Sequence, residues 1–453
     1  MKVEKMTEIS HKIKLTAEDL PSAVVPFFEN FTGEEALRMA LVLAAIICYQ
    51  AHAPRLRVRY LYDYHANMLL CNLLVIGHTG AGKSLVMYVV DILTRDLTQE
   101  DLEQRRILQK VQEANKRKSS QSEKQEEPIV CIRCLQHFTL PIVCKYSDLQ
   151  ARKYGEQLGF LLTADELGTL TETKRSKADL QAVARTAYSL GEKFSKDTLY
   201  EQGYNCLVDI VWNSILLGQE AALNDYITKK GLLCGDGSRQ ILVKIGNELA
   251  PEAPTFQPLT DEQQQAVDQA LDKLNKSTFT DDGKLQPTHL INMEWLYPDI
   301  EDWCYQQRKI ITKSGSRALE AFYVRASVSA FRLSAMLYYL FDEQPENQEH
   351  VRRCYLYFAQ SILDAQMEQW GQMYESALPK DKERHKPFNL YDELMPQSFT
   401  REQAAQIIEQ YNTGKPEEEK IKTSLRQFIY KWQKNKWIYL EPDTKIYHKM
   451  YEV

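Results

Sequence analysis

The string Gly77-His78-Thr79-Gly80-Ala81-Gly82-Lys83-Ser84 constrains this chain more than any other feature, because it fits the pattern G-x-x-x-x-G-K-[ST] at every fixed position. The apolar run Met68 to Ile76 (MLLCNLLVI) leads into it, and a helical pattern begins at Ser84. A continuous apolar run that ends in a glycine-rich turn and feeds a helix predicts a parallel strand buried on both faces. The glycines let backbone N–H groups turn inward around an anion, and the helix adds the positive end of its dipole. These residues therefore predict a site for ATP with Mg²⁺. Lys83 is expected to reach the β- and γ-phosphates, with the Ser84 hydroxyl on the cation.

Further apolar runs at Ile129 to Leu135, Phe160 to Ala164, Ser214 to Leu217 and Gln240 to Ile245 alternate with helical segments, which implies an α/β core around a parallel sheet. Phe160-Leu161-Leu162-Thr163-Ala164 runs into Asp165-Glu166, an acidic pair expected to face the lysine from the adjacent strand. Asp165 would hold Mg²⁺ through its water shell, and Glu166 would polarise the water that attacks the γ-phosphate. Gln219, just after the run Ser214 to Leu217, is positioned to orient that water. Arg239 precedes the run Gln240 to Ile245, a place that suits an arginine presented to the nucleotide of an adjacent subunit.

A length of 453 residues suggests about three folding units. The boundaries read as 1–66, a helical segment and strand; 67–248, the nucleotide core; 249–386, a largely helical region; and 387–453, a small separate fold. Net charge is −6, so any nucleic-acid contact must be local. Met1 to Leu20 is too rich in Lys, Glu and His for a secretory signal, and the apolar run Met39 to Cys48 is short of a bilayer span, so a cytoplasmic protein without a membrane segment is expected. Nine scattered cysteines do not form a disulfide framework. Cys131 and Cys134, three apart on an expected strand, would point to opposite faces and pack rather than share a metal.

Helical spacing predicts a buried helix over Glu34 to Gln50, and Arg55 to Tyr62 alternates like a strand. Thr98 to Glu127 reads as a solvated helix running into a loop, and Leu249 to Pro258 and Pro379 to Pro387 as linkers. Arg317 to Phe341 is the longest apolar helical segment. Near the end, Thr400 with Gln403 opens a helix, Glu417 to Gln433 forms a second, and Trp437 to Leu440 and Lys445 to Tyr451 make a hairpin. This order resembles a winged helix. From Lys415 to Val453 nine Lys or Arg stand against six Asp or Glu. Lys422, Arg426, Lys431, Lys434 and Lys436 could follow DNA phosphates from the second helix and its exit.

Taken together, GHTGAGKS, TADELG, ILLGQE, the glycine-rich loop before Arg239 and the helix FRLSAMLYYL resemble a family of P-loop proteins grouped as a domain of unknown function. It is common in phages, plasmids and conjugative elements and is often described as primase-helicase-like. The likeness covers Pro21 to Leu363, and the layout also resembles an AAA+ or superfamily-3 helicase core. The resemblance implies a ring, often a hexamer, with shared sites. It gives Gln219 a sensor position, Arg239 an arginine-finger position, and Arg325 or Arg332 a sensor position on a helical lid (249–386). It also implies a hairpin within Gly191 to Asn205 whose Lys193 and Lys196 line the channel.

Overall fold

The computed structural model describes residues 14–116, 125, 128–136, 138–170, 183–185, 187–188, 193–196, 206–246, 253–378, 395–413, 415, 420–434 and 437–450. Contacts divide the chain into two compact units, Met1–Leu378 and Pro379–Val453, where its length predicts about three. One continuous hydrophobic core runs from Leu15 to Trp370, so no break in packing falls at 66/67; the expected boundary 248/249 lies outside the described residues. The expected linker Pro379 to Pro387 lies outside the described residues.

The larger unit is built on a five-stranded, all-parallel sheet in the order β5-β1-β4-β3-β2, comprising β1 (Asn72–Gly77), β2 (Cys134–Gln136), β3 (Phe160–Ala164), β4 (Trp212–Gly218) and β5 (Ile241–Ile245). Strands β1, β3 and β4 are buried along their whole length, as continuous apolar runs require. Helix α1 (Glu35–His52) packs on β4, β5 and helix α2 (Lys83–Leu93). Among the described residues α1 is the helix long and apolar enough to cross a membrane, although the apolar run inside it looked too short. It is 83% buried by the rest of the protein, so its apolar surface is already used in the core.

Several expected strands are shorter than predicted, two of them because a side chain takes the backbone bonds of a ladder. Cys71 N donates to Asn213 Oδ1 (2.7 Å), which ends the pairing of Asn67–Met68 with Leu56–Val58 before β1 begins. In Ile129 to Leu135, Arg133 N and Cys134 N donate to the Asp101 carboxylate at 2.7 to 3.1 Å, leaving β2 only Cys134–Gln136. The alternating stretch Arg55 to Tyr62 is a strand only over Leu56–Val58, and its Arg55 and Arg57 are buried. Their guanidiniums are taken up by Gln286 O, Glu156, Pro54 O and Leu56 O. Burial pushes the Arg57 pKa down to about 10. The charged stretch after β1 is helix α3 (Arg95–Lys116).

Over residues 253–378 the helical region packs against the core of the larger unit. Within the expected linker, Thr255–Phe256 pairs with Phe31–Thr32. Helices α4 (Asp261–Thr278), α5 (Tyr297–Ser314), α6 (Arg317–Leu340) and α7 (Gln348–Gln366) follow, α6 and α7 packing along each other and onto α1 and β5.

His52 ties three helices together: its Nε2 bonds Leu93 O (2.7 Å) and its Nδ1 lies 3.3 Å from Asn275 Oδ1. Burial lowers its pKa to about 4, whereas burial raises the Asp101 pKa to about 6. Unfolded, these groups titrate near 6.5 and 3.9, so as pH falls His52 removes stability between about 6.5 and 4 while Asp101 adds it between about 6 and 4. From pH 7 to 5 the two terms are about −2 and +1 kcal/mol. Urea titrations should show His52→Gln gaining about 1 kcal/mol relative to its own pH 7 value, and Asp101→Asn losing about 2. Parallel pH slopes for both variants and the wild type would rule this out.

The smaller unit has its own core of Met395, Phe399, Ala404, Ile429, Trp432 and Ile438. Strand β6 (Ser398–Phe399) precedes helices α8 (Arg401–Asn412) and α9 (Leu425–Lys434), and β7 (Ile438–Leu440) and β8 (Tyr447–Lys449) complete an antiparallel sheet in the order β6-β8-β7. Thr400 and Gln403 form the expected capping box. The second helix starts at Leu425 rather than Glu417; residues 416–419 lie outside the described ones.

Candidate nucleotide site

The glycine-rich loop crosses from the C-terminal end of β1 to the first turn of α2. His78, Thr79, Gly80, Gly82, Lys83 and Ser84 line a cleft of about 730 Å³, with Gly77 and Ala81 buried beneath it. Gly82 caps α2 in the left-handed region (φ 85°), and a Cβ there would meet Leu37 Cδ2 at 2.8 Å and Pro254 Cγ at 2.9 Å. Gly80 is also left-handed (φ 86°), but a Cβ there would meet nothing within 4 Å. Gly80→Ala therefore costs only backbone strain of about 1–2 kcal/mol, while Gly82→Ala adds a steric clash. Titration with a fluorescent ATP analogue should show Gly82→Ala weakening binding at least about tenfold more than Gly80→Ala. Equal losses would mean that Leu37 and Pro254 do not hold the loop.

Lys83 Nζ donates to Gly77 O and to His78 O (2.9 Å), so the ammonium lies across the base of the loop. Thr163, Ala164, Asp165 and Glu166 from the end of β3, and Leu217 and Gln219 from the end of β4, line the same cleft. The acidic pair is not on the strand next to β1, as the sequence predicts; β4 lies between them. Two strand spacings put about 10 Å between β1 and β3. Register keeps the ends level, with Ala164 opposite Leu216 and Gly218 opposite Ile76. Asp165 is exposed and Glu166 half-buried, and the Glu166 carbonyl accepts from Thr169 N (3.2 Å) and Oγ1 (2.8 Å) at the turn Leu167–Leu170. Gln219 is exposed at the start of the short helix Glu220–Tyr226.

Ser84, Met87 and Asp91 share one face of α2 and all line the cleft, with Gln136 from β2 and Ala253 and Pro254 from the segment after β5. The spacing of Met87 and Asp91 from Ser84, three and seven residues, is the signal that could have found them. Ala253 and Pro254 lie within the expected linker and carry no such signal.

Arg239 is outside this cleft. It ends the turn Gly237–Arg239 before β5, level with the start of β1, because Ile241 pairs with Leu73. Its Nη1 donates to Gly235 O (2.9 Å) and weakly to Cys234 O (3.4 Å), and burial, with Arg325 nearby, lowers its pKa. Asp236 beside it pairs with Arg185 (2.8 Å). Arg325 and Arg332 both stack on Tyr188, and buried Arg332 donates to Leu70 O (2.9 Å) and Tyr188 O (3.0 Å). Neither lines the cleft, and buried Arg332 is a brace at the start of β1 rather than the expected sensor.

Lys193 and Lys196 bound a strand that pairs antiparallel with Cys206–Asp209, a partner strand beyond the expected Gly191 to Asn205; residues 197–205 between them lie outside the described ones. Lys422, Arg426, Lys431 and Lys434 are exposed at or on α9, and Lys436 lies outside the described residues. Both cysteines of the CxxC have pKa values raised by burial, Cys131 to about 11 and Cys134 to about 12. In comparison with known proteins, no family model matches this chain and no curated protein matches it.

Proposed function

We propose that this chain is a P-loop ATPase with an AAA+-like core that acts on DNA, a ring-forming, helicase-like protein of a mobile genetic element working in the cytoplasm. The observation that carries the reading is the convergence of Lys83, Ser84, Asp165, Glu166 and Gln219 on one cleft at the C-terminal edge of a parallel sheet. Lys83 reaches the cleft from the end of β1 and Glu166 from the end of β3, with β4 between, an order that suits a γ-phosphoryl group held between an ammonium and a carboxylate. Ser84 Oγ and Asp165 are oxygen donors open to the cleft, the set that suits Mg²⁺. Bound there, the cation would neutralise charge on the phosphate oxygens.

In this reading Lys83 turns from the loop carbonyls to the β- and γ-phosphates. The Glu166 carboxylate accepts a proton from water as its oxygen attacks phosphorus, and Gln219 orients that water. A winged helix in the smaller unit is supported by its strand and helix order and by the basic exit of α9. The strand pair bearing Lys193 and Lys196 fits a channel contact.

A second reading, a nucleotide-gated DNA-binding or assembly switch without unwinding, is favoured by Arg239, whose guanidinium bonds its own loop. ATPase assays with and without single-stranded DNA on wild type, Lys83→Ala and Arg239→Ala separate the two. Stimulation by DNA with loss in both variants supports the motor, whereas unstimulated turnover supports the switch. Full activity in Lys83→Ala sinks both.

A further inference from the structure

From Lys420 to Leu440 the chain carries six Lys or Arg and no Asp or Glu, in a protein whose net charge is −6. Charge alone explains an attraction to phosphates of any sequence. The surface of α9 contains more than charge. Its inner face, Leu425, Phe428, Ile429 and Trp432, packs in the core of the smaller unit at spacings of three and four residues. The opposite face centres on Tyr430, which is 66% exposed. On a helix the surface neighbours of a residue are those three and four positions away. For Tyr430 these are Arg426, Gln427, Gln433 and Lys434, all exposed.

This is not the composition of a face that only tracks a backbone. Arg reads guanine O6 and N7 with two hydrogen bonds, Gln reads adenine N6 and N7 likewise, and an exposed aromatic ring offers an apolar surface to a thymine methyl. Phosphate contact needs only donors, and exposed Lys431 on α9 and Lys422 just before it can supply them. A ten-residue helix spans about 15 Å, enough to present this stripe in a major groove about 12 Å wide.

We infer that the smaller unit recognises a defined base sequence in duplex DNA, with Arg426, Gln427 and Tyr430 reading base edges in the major groove and the lysines fixing register on the phosphates. This rests on the proposed action on DNA and narrows it to a specific double-stranded site. The protein would then be directed to one locus by this unit, whatever its ATPase core does afterwards.

The test uses the full chain without nucleotide. Selection from a random duplex library is followed by anisotropy titrations on the enriched sequence and on a shuffled duplex of equal composition. The wild type should prefer the enriched sequence by at least about 100-fold. Arg426→Lys keeps the charge but loses two-point pairing, so it should retain affinity for the shuffled duplex while its preference falls roughly 10- to 100-fold. Gln427→Ala should do the same. Lys431→Ala should weaken both duplexes alike and reduce the salt slope by about 1. Binding without enrichment of any sequence, or a preference that survives in both Arg426→Lys and Gln427→Ala, overturns the inference and leaves the ATPase on DNA standing. No affinity for any duplex overturns the inference together with the duplex-contact part of that reading, and points to this face as a protein-docking surface. Mg-ATP hydrolysis, measured separately, decides the nucleotide site.

Discussion

Glu166→Gln is expected to lower Mg-ATP turnover by about two to four orders of magnitude while leaving ATP affinity within a few-fold of wild type. The substitution keeps the shape of the side chain but removes the carboxylate that would accept a proton from water. In the proposed site the loop backbone, Lys83 and the start of α2 approach from β1, and Glu166 stands two strands away at the end of β3. Its carbonyl, which holds the turn Leu167–Leu170 through Thr169, is unaffected by the change. Lys83→Ala should behave differently, weakening nucleotide binding itself, because the ammonium is the charge at the base of the loop. Rapid-quench turnover and equilibrium binding on both variants separate the roles. If Glu166→Gln hydrolyses ATP at the wild-type rate, the attacking water is activated elsewhere. If it loses binding as Lys83→Ala does, the carboxylate supports the cradle rather than the chemistry.

What could be read from the sequence follows the physics of burial. A strand buried on both faces writes itself as an unbroken apolar run, so Phe160–Ala164 coincides with its prediction, and β1, β4 and β5 are found to within a few residues. The loop and the acidic pair were legible because each sits where such a run stops. Strand order was not, because nothing in one run says which other run it pairs with, and hence the acidic pair was expected one strand too close. Side chains that replace a ladder were equally hidden: Asp101 accepting from Arg133 N and Cys134 N, and Asn213 accepting from Cys71 N, act across 32, 33 and 142 residues of sequence. Arg332 illustrates the same limit. On a helical pattern it can be a sensor or a brace, and only its bonds to Leu70 O and Tyr188 O decide for the brace.

Trp370→Ala is expected to destabilise the larger unit by about 3–5 kcal/mol, the range for emptying a fully buried aromatic site. Trp370 is fully buried within the π-helical turn Met367–Gly371 that continues α7, and its ring lies against Gly237 so closely that a Cβ there would meet its Cε3 at 3.1 Å. One turn earlier, Gln366 Nε2 donates to Gln240 O (2.7 Å) and Ser238 O (3.3 Å), so the same stretch grips both sides of Arg239. The loss should therefore be local as well as global. Trp370→Phe, which keeps most of the ring contact, should unfold much closer to wild type in urea while Trp370→Ala shifts well below it. At a temperature where both remain folded, the exchange protection of amides in Gly235 to Gln240 should fall in the alanine variant before that of β1 or β3. A urea midpoint unchanged by Trp370→Ala would mean that the ring does not hold this turn. A uniform loss of protection across the sheet would mean that the packing around Arg239 is no more dependent on Trp370 than the rest of the core.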